Sequence, residues 1–337
     1  MRRREMRYLH GCGRRSAFTL MELMVVIFII VTLMALSAGA VIKFMAVQQR
    51  SNTQTTLDRT QAKVNKAWSA VKDQAFMEPI PAITQSLILQ PAPPWPGLAG
   101  NDTLATDRMR VIYVKLRMRQ VFPMNFCEAL NVPYYSQSLG MLVPSSPVPA
   151  LTTYQTYLNN LGINQAYLTS LGCTSPTYQP QPYESSACLL MALQRMQSGT
   201  GVDASDLISG GATGHADTPT GGGIPYLTDA WAQPIRFARH PTGSILLNPN
   251  GAQPGNNDLG DPQGYLSSGT WAYGNNQACR NVFFSLVLQQ PARQNVPTLS
   301  FKLAPMLVSA GPDRNLTTDP VTFAQQTTDS DDLFSTP

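Results

Sequence analysis

The stretch Phe18–Ile30, FTLMELMVVIFII, decides how the rest of this sequence is interpreted. Its one charged residue, Glu22, lies near the head of an otherwise apolar run. A charge at the middle of a membrane span costs roughly 2.5–3.5 kcal/mol on insertion scales. We therefore expect Glu22 to be present for a specific partner.

The apolar run is long enough to cross a membrane. Residues 23–42 carry no charge, and Lys43 is the first charge after them. A helix of this length rises about 30 Å, the thickness of the hydrocarbon layer. The formal net charge of +4 comes from residues 1–17, which hold six arginines and one glutamate. Arginines before a span favour a cytoplasmic N-terminus. We predict a single-pass inner-membrane protein with an extracytoplasmic C-terminal domain.

Outside the first 17 residues the chain is close to neutral, and this disfavours nucleic acid as a partner. Two interpretations of the N-terminus leave Glu22 without a role: a plain signal anchor and a cleaved secretory signal. In the second, Ala38-Gly39-Ala40 would be the cleavage site and the mature chain would begin at Val41. Glu22 is a poor neighbour for a secretory core. The Arg14-Arg15 pair suggests a twin-arginine signal, but the residues around it fit poorly.

The N-terminus resembles that of type IV pilins and type II secretion pseudopilins. A basic leader, a small residue, FTLMEL and an apolar run follow one another in the order typical of this family. The resemblance implies that a prepilin peptidase cuts between Ala17 and Phe18 and methylates the Phe18 amine. Glu22 is then the fifth mature residue. Ala17 departs from the glycine that the family usually has before the cut.

Cleavage would supply Glu22 with a cation, because the new amine of Phe18 lies one turn away. Each charge alone is expensive in lipid, and together they offset that cost. In filaments of the family the amine of one subunit is thought to meet the glutamate of its neighbour. Two alternatives are open: an intrachain pair between Phe18 and Glu22, and a glutamate that reaches the headgroups.

The helix is predicted to continue beyond the membrane to Glu78. No proline occurs before Pro79 and Pro81, which end it. Beyond Lys43 the apolar residues have helical spacing, so the second half of the helix should lie on a domain. A short coiled coil is the alternative. The residues of this stripe are Leu57, Val64, Trp68, Val71 and Ala75.

The body of the chain has weaker signals. Residues 108–122 are basic and predict either an amphipathic helix or an edge strand, with their five cations on a solvated face. Residues 184–196 predict a helix, and residues 199–223, with eight glycines, predict a flexible loop. Residues 282–288 and 298–303 predict strands.

Two C-terminal segments extend the resemblance to major pseudopilins. Residues 225–237, PYLTDAWAQPIRF, resemble the family pattern D-P-W-G-N-P-Y, with Ala232 in place of the usual glycine. Residues 307–313, LVSAGPD, resemble the S-A-G-P-D-G turn, with Arg314 in place of its final glycine. We expect an α+β, pilin-like fold in which a long helix packs on a small antiparallel sheet with large loop insertions. The predicted parts are a leader (1–17), the helix (18–78), an insertion-rich body (79–224) and a C-terminal sheet with an acidic loop (225–337).

The acidic loop and the cysteines give two further predictions. Calcium takes six to eight oxygen ligands, and major pseudopilins bind one calcium after the same turn. By that resemblance Asp313, Asp331 and Asp332 are candidate Ca²⁺ ligands. A plain acidic terminus is the alternative. Four cysteines remain after the leader and allow two disulfides in three pairings. Cys173–Cys188 closes the shortest loop and is the preferred pair.

Two function classes follow. The first is a filament subunit whose partners are the prepilin peptidase, copies of itself or other pilins, and an inner-membrane assembly platform. The second is a membrane-anchored binding module that uses residues 79–224 to recognise a surface ligand or secreted substrate. We do not expect an enzyme, because only His215 and His240 remain after processing and no G-x-S-x-G motif occurs.

Overall fold

The computed structural model describes residues 19–89, 104–137, 140–195, 213–241, 260–265, 304–316 and 332–335, together with residues 207, 244, 247, 253–254, 258 and 299–300. Over these residues the chain is α+β, with a long N-terminal apolar helix and small antiparallel sheets. It divides into two units, Met1–Gln49 and Arg50–Pro337.

Helix α1 spans Leu20–Met77. The described residues of the first unit are Thr19 and the first part of this helix, up to Gln49. Every side chain from Thr19 to Gln48 is exposed. The hydroxyls within this apolar stretch are satisfied by the helix itself, because Thr32 donates to the Ile29 carbonyl at 2.9 Å and Ser37 donates to the Leu33 carbonyl at 2.8 Å. Internal hydrogen bonding of this kind is what a hydrocarbon environment requires.

In the second unit the remainder of α1 has a buried face. The predicted stripe is confirmed, since Leu57, Val64, Trp68, Val71 and Ala75 are all buried in one hydrophobic core. The helix ends at Met77, one residue before Glu78 and two before Pro79, because proline lacks the amide hydrogen and clashes with the preceding turn. The predicted C-terminal end is therefore confirmed to within one residue.

Shorter helices form more than half of the described residues between 82 and 195. Residues 105–121 are a helix, which settles the choice between helix and edge strand left open by the sequence. The helix predicted from Glu184 ends at Arg195 and buries its leucines, as expected. The helices are α2 (Ala82–Leu89), α3 (Ala105–Val121), α4 (Phe126–Ala129), α5 (Thr152–Asn160), α6 (Gln165–Ser170) and α7 (Glu184–Arg195).

The strands pair in antiparallel order. The three-stranded sheet has the order β5-β8-β9, and the other sheets are the pairs β1-β2, β3-β4 and β6-β7. Helix α7 packs against β4 and β5. The strands are β1 (Tyr134–Ser136), β2 (Met141–Val143), β3 (Thr213–Asp217), β4 (Gly223–Leu227), β5 (Arg236–Ala238), β6 (Gln253–Pro254), β7 (Leu299–Ser300), β8 (Met306–Ser309) and β9 (Leu333–Phe334).

Several sequence predictions need correction or lie outside the described residues. The glycine-rich stretch 199–223 is not simply a loop, because its end forms β3 and the first residue of β4. The predicted boundary at 224/225 falls inside β4. The strand predicted at 282–288 lies outside the described residues, whereas β7 falls within the one predicted at 298–303.

Candidate functional site

The start of α1 holds Glu22 in a capping box. The Thr19 amide and hydroxyl donate to Glu22 Oε2 at 2.9 and 3.0 Å, and the Glu22 amide donates back to Thr19 Oγ1 at 3.2 Å. This reciprocal arrangement satisfies backbone donors that a helix start leaves without partners. Sequence analysis missed it, although the signature Thr-x-x-Glu is present at residues 19–22. Ala17 and Phe18 lie outside the described residues.

Both bonds to the Glu22 side chain end on the same oxygen. Within the described part of the chain, Oε1 accepts no hydrogen bond while Oε2 accepts two. The carboxylate therefore caps the helix with Oε2, while the Glu22 side chain stays exposed. Capping and a charge pair with an amine are compatible at this position.

The exposed apolar part of α1 is long and apolar enough to cross a membrane. Its side chains from Leu20 to Val47 include large exposed hydrophobic groups such as Phe28, Ile42 and Phe44. Exposed hydrophobic surface of this extent marks contact with protein or lipid. The candidate site of interaction is therefore the first 28 residues of α1, from Leu20 to Val47, together with the cap that begins it.

Polar side chains join the second half of α1 to the C-terminal strands. Gln61 donates from Nε2 to the Pro305 carbonyl at 2.7 Å and accepts from the Ser335 hydroxyl at 2.8 Å, and all of these atoms are buried. The Ala230 amide donates to Thr53 Oγ1 at 3.1 Å. These bonds fix the register of the helix on β8 and β9, which apolar contact alone specifies only weakly.

The two C-terminal segments that carry the pseudopilin resemblance meet in the structure. Ser309 at the end of β8 donates to Asp229 Oδ2 at 2.6 Å. The other oxygen of Asp229 accepts from the Trp231 and Gln233 amides at 2.9 and 2.8 Å. Asp229 therefore shapes the turn that leads into β5 and joins it to the turn after β8.

Backbone angles agree with the glycines expected at two positions of the resemblance. Ala232 has φ 60° and Arg314 has φ 63°, both in the left-handed region that glycine occupies most easily. These are the two positions where the chain departs from the glycines of the family pattern. Ala232 and Arg314 therefore adopt a backbone conformation that their side chains disfavour.

The structure describes two of the three predicted calcium ligands, so the site stays a prediction. Asp313 is exposed on the turn after β8, where its Oδ1 accepts the Asn315 amide at 2.8 Å. Asp332 is buried and interacts with the charge of Arg236. Asp331 lies outside the described residues. No group of three or more metal-binding side chains occurs in the part of the chain that is described.

The preferred disulfide is not formed. Cys127, Cys173 and Cys188 all carry free, buried thiols. The thiol that interacts with Cys173 is that of Cys127 rather than that of Cys188, which lies within α7. Separation along the chain favoured Cys173–Cys188, whereas the fold brings α4 and the segment after α6 together in space. Cys279 lies outside the described residues.

The cations of α3 do not form the solvated face that was expected. Arg108, Lys115 and Arg119 are buried. Lys115 pairs with Asp258, and Arg117 pairs with Glu78 at 3.0 Å. The sequence could not indicate this, because most of these partners lie far along the chain.

Glu128 is the centre of the largest buried ionic group that is described. Arg239 donates to both of its carboxylate oxygens at 3.0 and 3.2 Å, and Arg119 Nε lies 3.2 Å from Oε1. Desolvation would raise the pKa of Glu128, but the charges of Arg239 and Arg119 outweigh it and lower the pKa to about 2. Tyr134 also donates to this carboxylate. The group is closed to solvent, so its role is to hold α3, α4 and the end of β5 together.

The two histidines that remain after processing, His215 and His240, lie in different environments. His215 is exposed on β3, whereas His240 is fully buried with its ring edge-on to Trp68, 5.6 Å between centroids. Burial lowers the pKa of His240, and the positive charges of Lys115 and Arg239 lower it further. His240 therefore stays neutral in the core.

No protein-family model, no curated protein and no solved structure matches this chain. Its function is therefore argued from its own residues and their geometry.

Proposed function

We propose that the chain is a structural subunit of a type IV pilus-like or type II secretion filament, with a pilin-like fold. One observation carries the proposal: a single helix, α1, has a wholly exposed apolar first part headed by Glu22 and a second part buried against an α+β domain. The first part of such a helix contacts lipid and neighbouring subunits, and the second part packs against the domain. The meeting of residues 225–237 with the turn after β8 supports the same family.

The proposed assembly step follows from the charges. A prepilin peptidase removes residues 1–17 on the cytoplasmic side and methylates the new amine of Phe18. The amine and Glu22 are each costly in oil when alone. Pairing the amine of one subunit with Glu22 of the next offsets both costs and sets the axial register. Glu22 Oε1 accepts this amine while Oε2 continues to cap α1.

The partners of this function are the peptidase, copies of the chain or other pilins, and an inner-membrane assembly platform. The domain from Arg50 onward then lies outside the cytoplasm, and the filament forms from subunits drawn out of the membrane. Calcium at Asp313, Asp331 and Asp332 stays a prediction, since Asp331 lies outside the described residues. Calcium supplies no step in the assembly proposed here.

Three variants separate the charge of Glu22 from its cap. Glu22→Gln keeps the capping-box geometry, because glutamine also serves at this position, but it removes the charge. Glu22→Ala removes both, and Thr19→Ala removes the hydroxyl of the cap while it leaves the charge. We expect filaments to be lost in both Glu22 variants and kept in Thr19→Ala. Filament yield is measured by electron microscopy and by recovery of sheared filaments, with intact mass as a control for cleavage at Phe18.

Two outcomes would contradict the proposal, one for the charge of Glu22 and one for the filament function. Filaments in Glu22→Gln at the wild-type level, with loss only in Glu22→Ala and Thr19→Ala, would show that Glu22 serves the helix cap and no charge partner. The absence of filaments from the wild-type chain, when it is expressed with a peptidase and a platform, would contradict the filament function itself.

One observation favours the second function class, an anchored extracytoplasmic binding module. Helices α3 and α7, which lie between residues 105 and 195, belong to the same hydrophobic core as β5 and β8. A large folded insertion of this kind offers surface for a ligand. An anchored module keeps its ligand binding in Glu22→Ala, since the helix still spans the membrane, and this result distinguishes the two classes.

A further inference from the structure

Two free thiols lie together beneath the hairpin β1-β2. Cys127 is in α4 and Cys173 follows α6, and both are fully or almost fully buried. Burial raises the pKa of the Cys127 thiol, and the Cys173 thiol lies near enough to raise it further through its charge and a hydrogen bond. The Tyr178 hydroxyl lies 3.4 Å from Cys127 Sγ and is influenced by Cys173 as well.

The backbone on both sides keeps the two cysteines in place. The Cys127 carbonyl accepts the Val132 amide at 2.8 Å, and the Cys173 carbonyl accepts the Tyr135 amide at 2.8 Å. The Cys173 thiol also points toward the Pro133 carbonyl, 3.6 Å away. Both cysteines are thus attached to the same short segment, residues 132–135. Disulfide geometry demands fixed and close backbones of this kind.

We propose that Cys127 and Cys173 form a disulfide in the mature protein. The inference rests on the extracytoplasmic placement of the domain in the proposed function, because disulfides persist in oxidising compartments. The bond closes the loop that contains β1, β2, α5 and α6.

The oxidant is a protein or small-molecule disulfide of that compartment. One cysteine thiolate attacks this disulfide, forms a mixed disulfide and releases one thiol. The second thiolate then attacks the mixed bond, closes Cys127–Cys173 and releases the other thiol. Both protons pass to the released thiols, so two cysteine thiols are oxidised and one external disulfide is reduced. Burial raises the pKa of the Cys127 thiol, and the reaction therefore takes place before the core closes.

Peptide mapping of the full chain tests the bond. The chain is isolated from membranes in detergent, free thiols are alkylated, and the unreduced digest is analysed by mass spectrometry. The same chain is also unfolded in reductant and refolded in detergent with oxidised glutathione. We expect a peptide that links Cys127 to Cys173 in both samples. A link in the refolded sample with reduced thiols in the cellular sample would contradict the extracytoplasmic placement and leave the pairing intact. A refolded sample without this link, or with Cys127 joined to Cys188, would overturn the pairing.

Thermal unfolding provides a second readout. A bond across this loop should raise Tm on the order of 10 °C, and reductant should remove that gain from the wild-type chain. Cys173→Ala should begin at the lower Tm and show no further fall with reductant. Cys188→Ala is the matched control, a buried cysteine outside the pair, and should keep the reductant-dependent fall. A wild-type Tm that does not respond to reductant would overturn the proposal.

Discussion

Glu184 is a buried carboxylate whose charge the structure disfavours. It accepts the Gln181 amide at 2.8 Å and the Phe126 amide at 3.1 Å. Burial raises its pKa to about 7, although these two backbone bonds act in the opposite direction. The folded chain therefore holds a proton on Glu184 at pH values where the unfolded chain has released it.

Glu184→Gln should change how stability depends on pH. The folded pKa is about 7 and the unfolded value 4.5, so the stabilising effect of the bound proton is complete below pH 4.5 and is lost as pH rises through 7. Relative to the variant, the wild-type chain should lose about 3 kcal/mol of unfolding free energy between pH 4 and pH 8. Urea unfolding of both chains across this range measures the difference. A difference that does not vary with pH would show that the carboxylate is not perturbed.

The roles of some single residues could be predicted from the sequence, and those of others could not. Glu22 was recognised from its setting, because a charge in an apolar run is visible without a structure. Its bond to Thr19 was recognisable from spacing and was missed. Glu128, Glu184 and Arg239 could not be identified, since burial depends on segments that are distant in the chain.

The turn before β5 shows how an element keeps its shape with an unfavourable residue. Asp229 bonds the amides of the turn, and this holds Ala232 at positive φ. Alanine in the left-handed region is strained, whereas glycine adopts it freely.

Ala232→Gly should therefore stabilise the domain by about 1 kcal/mol, because the relief of strain exceeds the extra chain entropy of glycine. Ala230→Gly is the matched control, since Ala230 is also exposed in this turn but has no positive φ. It should be neutral or destabilising by up to about 1 kcal/mol. Thermal unfolding of both variants gives the comparison, and a destabilised Ala232→Gly chain would contradict the assigned turn conformation.

Among the elements, α1 and α7 were predicted well and α3 was not. The apolar residues of α1 and α7 recur at helical spacing, a pattern that is visible within each segment of the sequence. In α3 the apolar residues Val111, Ile112, Val114 and Leu116 fit no single period, because the helix is buried on several sides and its cations have internal partners. The hairpin β3-β4 was missed because it begins within the glycine-rich stretch 199–223, and glycine is depleted in strands.

For the molecule as a whole, the α+β class and the long N-terminal helix were predicted correctly, whereas the described residues form four small antiparallel sheets and not the single sheet expected. The order β5-β8-β9 joins segments that are distant in sequence. The resemblance to pseudopilins placed 225–237 and 307–313 in one C-terminal region but not in contact, since spacing and propensity carry no information on such long-range pairing.

The N-terminus of the mature chain tests the central claim most directly. The chain is isolated from the membranes of cells that contain a prepilin peptidase, and its N-terminus is determined by sequencing and intact mass. We predict a chain that begins at Phe18 and carries a methyl group on its amine. A chain that retains Met1 would leave Glu22 without a nearby amine, and a chain that begins at Val41 would lack Glu22 itself; either result would contradict the proposed charge pair.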